Sequence, residues 1–331
     1  MRWRAALIAA ACPFLAAGAQ SSHVLVVSGL GGEPRYSAEF RQWGLALVDA
    51  ARSRYALPDS DVVYLAEAGA ADPRIAGVST RENVARTLQR FAQRAGAKDP
   101  IVVVLIGHGS GEGEDSRISL PGPDLAARDF ARLLAPFRSQ PVAFIDMTSA
   151  SGDMLPVLAA PNRVVITATR SSFERNESVF AGYFVAALTG DGADTDKDGR
   201  VSLLEAFQYA AAETARHYEQ ETRLQTEHAQ LDDQGTRDGV AVVDARAAAM
   251  GQGQGTLARR LFLGGNGVPR AALNDPRLAA LYQERLAIEA RIDSLKQHKG
   301  TMAPAAYDSA LEDLLVQLSL KAKAIKELEG P

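Results

Sequence analysis

The feature that most constrains the fold is a series of short apolar runs, each followed by a stretch with helical spacing. Five such runs, rich in Val, Ile and Leu, occupy residues 23–29, 61–66, 100–107, 141–147 and 163–169. Continuous apolar runs of this length are typical of strands buried on both faces. Because strands that alternate with helices form βαβ units, we predict an α/β protein with a mostly parallel sheet flanked by helices.

Helical patterns fill the segments between these runs. The first helix is predicted over residues 37–53 and a later one over residues 124–137. Between them, Ser79 and Glu82 have the spacing of a capping box that opens another helix. Open parallel sheets place their functional sites at the carboxyl ends of the strands. We therefore expect function in the loops that follow Gly29, Gly107, Met147 and Thr169.

The first 19 residues have the pattern of a secretory signal peptide. Arg2 and Arg4 form a positive region, an apolar segment follows, and an A-x-A cleavage site ends at Ala19. The protein is therefore expected to be secreted or periplasmic. A lipoprotein acylated on Cys12 is the less favoured alternative, because too short an apolar segment would precede that residue.

Cys12 is the only cysteine among the 331 residues. Removal of residues 1–19 would leave a chain with no disulfide, no thiolate metal ligand and no cysteine nucleophile. The formal net charge of −4 gives no electrostatic reason to expect nucleic acid as a partner. Beyond the signal peptide, no apolar run is long enough to predict a transmembrane helix.

The character of the chain changes after residue 250, where the predicted α/β domain (residues 20–250) ends. Residues 251–272 are rich in glycine and are predicted to be a linker. Residues 273–331 carry two heptad-like apolar stripes and predict an antiparallel, coiled-coil-like helical hairpin. Two interpretations stay open: the hairpin packs on the α/β domain, or it is a separate element that supports self-association.

Two strand ends carry residues suited to catalysis. His108 and Gly109 follow the third apolar run, and a histidine there can act as a general acid or base near neutral pH. The next run leads into a hydroxyl-rich segment, Thr148–Gly152, at a strand-to-helix junction, where backbone N–H groups can stabilise an oxyanion. The alternative interpretations are a histidine satisfied by the backbone and hydroxyls that cap the helix.

An apolar strand that ends in His-Gly, followed about 40 residues later by one that ends in acid-x-Cys-x-Ser-Gly, is the pattern of caspase-like and legumain-like cysteine peptidases. This chain resembles them at His108-Gly109 and Ser151-Gly152 over about residues 23–240. The resemblance implies a caspase-like sheet, with the family's catalytic histidine on His108 and its cysteine position on Ser149. It also implies a substrate pocket that residues of the segment 163–180 help to shape, namely Thr169, Arg170, Glu177 and Ser178.

The chain departs from the family where the nucleophile should be. A thiol near a histidine keeps a useful thiolate fraction, whereas a serine hydroxyl needs a base in direct hydrogen-bond contact, usually oriented by a third group. The sequence offers no evident group to orient His108. One interpretation is a non-catalytic relative that binds peptides or proteins or acts as a scaffold. The other is a hydrolase with His108 as base and Ser149, or else Thr148 or Ser151, as nucleophile.

Residues 194–205 fit the twelve-residue calcium loop of EF-hands. Acids stand at positions 1, 3 and 5, glycine at 6 and glutamate at 12, and Ca²⁺ prefers six to eight hard oxygen ligands. The predicted ligands are Asp194, Asp196, Asp198, the backbone carbonyl of Arg200, Ser202 and Glu205. The ion is expected to be structural, and the alternative is a metal-free turn that caps the following helix.

A further polar cluster follows that helix. His228 lies near Glu227, Asp232 and Asp233 in sequence, which is compatible with a second metal or substrate site. The alternative is a solvated surface loop.

Overall fold

The described part of the computed structural model comprises residues 22–69, 72–264, 272 and 275–329. These residues form an α/β fold around a seven-stranded sheet with the strand order β10-β9-β8-β4-β1-β2-β3. The strands are β1 (His23–Ser28), β2 (Val62–Ala66), β3 (Gly77–Val78), β4 (Ile101–Ile106), β8 (Val142–Asp146), β9 (Arg163–Thr167) and β10 (Gln230–Asp232). The predicted signal peptide, residues 1–19, lies outside the described residues.

All neighbouring strands are parallel except the edge pair β9 and β10, which is antiparallel. The α/β class and the mostly parallel sheet are thus confirmed. Every residue of β1, β2, β4 and β8 is buried, as expected for strands covered on both faces.

Helices cover both faces of the sheet. One face packs against α1 (Pro34–Ser53), α5 (Phe180–Thr189) and α6 (Leu203–Gln220). The other packs against α2 (Arg81–Arg94), α3 (Ala127–Leu134) and α4 (Met154–Leu158). Alternate strand residues point to opposite faces, so Val102 and Val104 join the first core and Val103 and Leu105 the second.

Three predicted helix starts were wrong, and the first two concern α1 and α2. The first helix begins at Pro34 and not at residue 37. Proline is well tolerated in the first helical turn, because its missing N–H needs no partner there. The cap of α2 is Thr80, whose hydroxyl accepts from the N–H of Asn83, and not Ser79. Ser79 is buried and donates instead to the carbonyl oxygen of Ser28, which ties α2 to β1.

A small antiparallel sheet follows β4. It consists of β5 (Gly109–Ser110), β6 (Arg117–Ile118) and β7 (Leu125–Ala126). A helix was predicted to start at residue 124, but β7 occupies residues 125–126. The helix α3 therefore begins at Ala127, and it ends at Leu134. This sheet fixes the backbone immediately after His108.

The described part of the glycine-rich segment, residues 251–264, packs on the domain. It follows α7 (Ala245–Ala249), and its Leu261 and Leu263 are buried in the same core as α6. The Leu261 carbonyl also accepts the N–H of Leu203 at 2.8 Å. The domain boundaries, including the end of the predicted linker at residue 272, remain a prediction.

Two C-terminal helices, α8 (Pro276–Gln297) and α9 (Pro304–Glu329), pack against each other as an antiparallel pair. Ile288, Ile292 and Leu314 form the centre of their contact. The α8 helix also contacts the α/β fold, since Arg285 donates to the carboxylate and the carbonyl oxygen of Asp198. Across the described residues, every helix falls short of the combined length and apolar character that crossing a bilayer requires.

Candidate functional site

The candidate site lies at the carboxyl ends of β4 and β8, which are neighbours in the sheet. Their register pairs Leu105 with Asp146, so the segments that follow them run side by side. The N–H of Gly109 donates to the hydroxyl of Ser149 at 3.2 Å. A Cβ atom at position 109 would lie 2.2 Å from the carbonyl oxygen of Ser149, so only glycine allows this close approach. The two segments that the sequence singled out, His108-Gly109 and the one around Ser149, are therefore in direct contact in the structure.

The imidazole of His108 is held by the loop after β1. Its Nε2 atom lies 3.2 Å from the carbonyl oxygen of Gly31. The rings of Tyr36 and Phe40 pack edge-on against it, with centroids 4.9 and 5.2 Å away. Since a carbonyl only accepts, Nε2 carries the proton and Nδ1 is left as an acceptor in the neutral ring. The sequence offered no evident group to orient His108, because a backbone carbonyl leaves no sequence signature.

Ser149 is 4% exposed, and its hydroxyl is bound to the Gly109 N–H and not to His108. Both residues belong to the described part of the chain. The neighbouring hydroxyl of Thr148 is also buried and has no hydrogen-bond partner within that part. A nucleophile of the serine type would need the histidine contact that Ser149 lacks here.

Ser151, Gly152 and Thr169 connect the ends of β8 and β9. The Ser151 hydroxyl accepts the N–H of Thr169 at 3.2 Å, and the Thr169 hydroxyl accepts the N–H of Gly152 at 2.9 Å. The Gly152 N–H predicted to face an oxyanion is therefore occupied. None of the hydroxyls caps the short 3₁₀ turn Ser151–Asp153, which starts after Ala150 in the left-handed conformation (φ 55°). A non-glycine residue in this region is uncommon and often marks a functional turn.

Asp146 ends β8 beneath these residues and is completely buried. Burial raises the pKa of its carboxyl group to about 7, although the N–H of Thr148 donates to it at 3.0 Å. Its second oxygen has no hydrogen-bond partner among the described residues.

The four predicted pocket residues divide into two that are exposed and two that bond within the fold. Glu177 is exposed and accepts a hydrogen bond from Tyr36 at 2.9 Å, so it is linked to His108 through that ring. Arg170 is exposed and forms an ion pair with Glu174 at 3.1 Å. Ser178, by contrast, donates to the buried carboxylate of Glu227. Thr169, described above, is buried as well.

Glu174 and His228 form a second polar pair at the same edge of the sheet. The Nδ1 atom of His228 lies 2.6 Å from a carboxylate oxygen of Glu174. The carbonyl oxygen of Glu174 accepts the N–H of Ala150, the residue after Ser149. Sequence reasoning missed Gly31, Tyr36 and Glu174, and the only available signal was their position after strands β1 and β9.

The acidic neighbours of His228 have scaffold roles. Glu227 accepts the N–H groups of Val179 and Phe180 at the start of α5. Asp232 and Asp233 are buried and accept several backbone N–H groups each. The predicted alternative of a solvated loop is wrong, since these three carboxylates are buried.

Asp194, Asp196 and Asp198 form a metal-compatible group at the start of the predicted calcium loop, and their carboxylate oxygens lie within 4.8 Å of one another. Gly199 adopts φ +81° and donates its N–H to Asp194 at 2.9 Å, which closes the loop. Burial and repulsion from Asp198, Glu205 and Asp194 raise the pKa of Asp196 to about 6. Full ionisation of these carboxylates is therefore unfavourable without a counterion, and a bound cation would stabilise them.

The remaining loop residues fit calcium in part. Ser202 and Glu205 are engaged with each other in a capping box that starts α6. One oxygen of Asp198 is bound by the guanidinium groups of Arg200 and Arg285. The side-chain oxygens best placed to bind an ion are those of Asp194 and Asp196 and the second oxygen of Asp198. Glu205 could become a further ligand if its hydrogen bonds to Ser202 were broken.

No protein-family model and no curated protein matches this chain.

Proposed function

We propose that this protein is a caspase/legumain-like peptidase homologue that binds peptides or proteins without cleaving them. The substrate cleft of such a protein is formed by the loops after β1, β4, β8 and β9. In this chain those loops bring His108, Ser149 and Glu177 to one edge of the sheet, which supports the proposal. The signal-peptide pattern supports action outside the cytoplasm, as a secreted or periplasmic protein.

The observation that carries the non-catalytic proposal is the hydrogen bonding of the two central side chains. The His108 ring is bound to the Gly31 carbonyl, and the Ser149 hydroxyl accepts from Gly109. The Gly109 N–H, which would otherwise be free to stabilise an oxyanion, is thereby occupied. The hydroxyl and the oxyanion donor are thus engaged with each other, and the hydroxyl makes no hydrogen bond to the base, which does not serve acyl transfer.

One observation favours the alternative, a hydrolase that uses Ser149. His108 is oriented as a general base would be, because the Gly31 carbonyl holds Nε2–H and leaves Nδ1 as the proton acceptor. A rotation of the Ser149 side chain that releases the Gly109 N–H would restore an oxyanion donor in the same movement.

A mixed peptide library separates the two functions. We expect the immobilised protein to retain a subset of the peptides, all of them at full length when analysed by mass spectrometry. Retention of no peptide would contradict the binding function. Cleavage by the wild-type protein that is lost in both Ser149→Ala and His108→Ala would establish the hydrolase instead.

We also propose that residues 194–205 bind a structural Ca²⁺ ion. The ion would be held by the carboxylates of Asp194, Asp196 and Asp198 with the backbone carbonyl of Arg200, and Ser202 and Glu205 would complete the set. When bound, its two positive charges would offset most of the repulsion among the three crowded carboxylates ahead of α6. The raised pKa of Asp196 supports the proposal, because it reports an excess of negative charge at this point.

Saturating Ca²⁺ should raise the melting temperature by roughly 5 °C, since an ion that binds only the folded state adds its binding free energy to stability. Calorimetry with CaCl₂ and with EDTA measures the difference. The response should be lost in Asp196→Asn and kept in Asp238→Asn, a matched change at an exposed aspartate outside the loop. Equal melting temperatures in CaCl₂ and EDTA would contradict the proposal.

A further inference from the structure

The outer face of α9 exposes an apolar patch. Tyr307, Leu314 and Ile325 point inward to α8 and are buried. On the opposite side, Leu315, Val316 and Leu320 are 47%, 54% and 61% exposed. Val316 and Leu320 are four residues apart and share a helix face, and Leu315 lines the same groove, so we call these three side chains the α9 patch. They line a shallow groove with Asp308 and Glu312. Contiguous exposed apolar surface usually marks an interaction site.

Charges of opposite sign flank the α9 patch. Asp308 and Glu312 precede it by about two turns and one turn, respectively, and Lys323 and Lys326 follow it. All four are exposed, and helical spacing places them on the same face as Val316. One acid, Glu327, lies among the lysines and is within 3.8 Å of Lys323. The face is therefore acidic at its start, apolar in the middle and mainly basic at its end.

We propose that the α9 patch pairs with the same patch of a second copy of this chain, with the two α9 helices antiparallel. This orientation sets Glu312 against Lys323 of the second copy, and Leu315 against its Leu320. A parallel pair would instead oppose acids to acids and lysines to lysines. The two ends of this face carry opposite charges, so the face is complementary to itself when a second copy is related to it by a twofold axis. Most symmetric dimers form through such self-complementary surfaces. The pairing needs no contribution from the proposed peptide cleft and stands independently of it.

The full-length protein should be a dimer in analytical ultracentrifugation, and dilution should dissociate it by mass action. Replacement of Leu315 by Glu buries a charge in the contact, so we expect the dimer to weaken at least tenfold, which corresponds to about 1.4 kcal/mol. The matched control is Leu224→Glu, at a leucine of the α/β fold that is 89% exposed, and it should leave dimerisation unchanged. A chain that stays monomeric at all concentrations would overturn the proposal.

Charge reversal tests the antiparallel orientation without disturbing the apolar contact. Glu312→Lys and Lys323→Glu should each weaken the dimer, and the double variant should restore it, because each altered charge again meets its opposite. Restoration supports the antiparallel pair. Single variants that dimerise like the wild type, or a double variant weaker than both, would overturn it. Circular dichroism confirms that each variant keeps its helices.

Discussion

Replacement of Asp233 by Ala should lower the free energy of unfolding by about 3–5 kcal/mol. The Asp233 carboxylate is 4% exposed and accepts the N–H groups of Gly255, Leu257 and Ala258 at 2.6–2.9 Å. Alanine leaves these donors without their acceptor in a buried segment, and each unsatisfied donor costs about 1–3 kcal/mol. Urea denaturation measures the change.

The matched control is Asp238→Ala, at an exposed aspartate in the same loop region. It should change stability by no more than about 0.5 kcal/mol, as is usual for surface substitutions. Equal small effects of both variants would mean that Asp233 does not hold residues 255–258 against the domain. The scaffold role assigned to this carboxylate would then be wrong.

Asp146→Asn should stabilise the protein at pH 8 and leave it unchanged near pH 3. The pKa of this buried carboxyl is raised from 3.8 to about 7, so the folded state holds its proton more tightly than the unfolded state. Its favourable contribution is complete below pH 3.8 and is lost as the pH rises through 7. Asparagine carries no ionisable proton, so at pH 8 the variant should gain as much as about 4 kcal/mol, at 1.36 kcal/mol per pKa unit.

The measurement is the free energy of unfolding at pH values from 3 to 8 for the wild type and the variant. The two curves should coincide at the acid end and separate between pH 4 and 7. Asp238→Asn serves as the exposed control and should run parallel to the wild type. Parallel curves for Asp146→Asn would show that Asp146 is ionised in the folded protein at neutral pH.

The sheet could be predicted from sequence because its signal is local. Each central strand is a continuous apolar run, and burial on both faces requires that pattern. Helix starts were less certain, since they depend on single capping contacts. Serine is a common capping residue, but the hydroxyl of Ser79 donates instead to the carbonyl oxygen of Ser28, which is far away in sequence.

The candidate site could be predicted only in its outline. The strand-end rule brought His108 and Ser149 to one edge, and their segments do lie side by side. The contacts that define the chemistry could not be predicted, because they involve backbone atoms and distant residues. The Gly31 carbonyl reaches His108 from the loop after β1 and the Tyr36 ring from the start of α1, both more than 70 residues earlier in the chain.

Buried carboxylates were the main source of error. Glu227, Asp232 and Asp233 look like a ligand cluster because they are close in sequence. In the structure each is turned toward backbone N–H groups of a different segment, so they do not converge. Asp233 also explains why the described part of the glycine-rich segment is packed, since composition alone favours a flexible linker there.

In the proposed relationship to cysteine peptidases, His108 corresponds to the family's histidine and Ser149 replaces its cysteine. A cysteine introduced at position 149 can therefore test whether His108 acts on a side chain there. In a Cys12→Ser background, Ser149→Cys would provide the only thiol of the chain. We propose to measure its rate of alkylation by iodoacetamide against pH, with and without His108→Ala. The thiol pKa should lie below the ordinary value of about 8.5 and should rise when His108 is removed. Identical pH profiles with and without His108 would contradict the proposal that His108 and Ser149 occupy the positions of the family's catalytic histidine and cysteine.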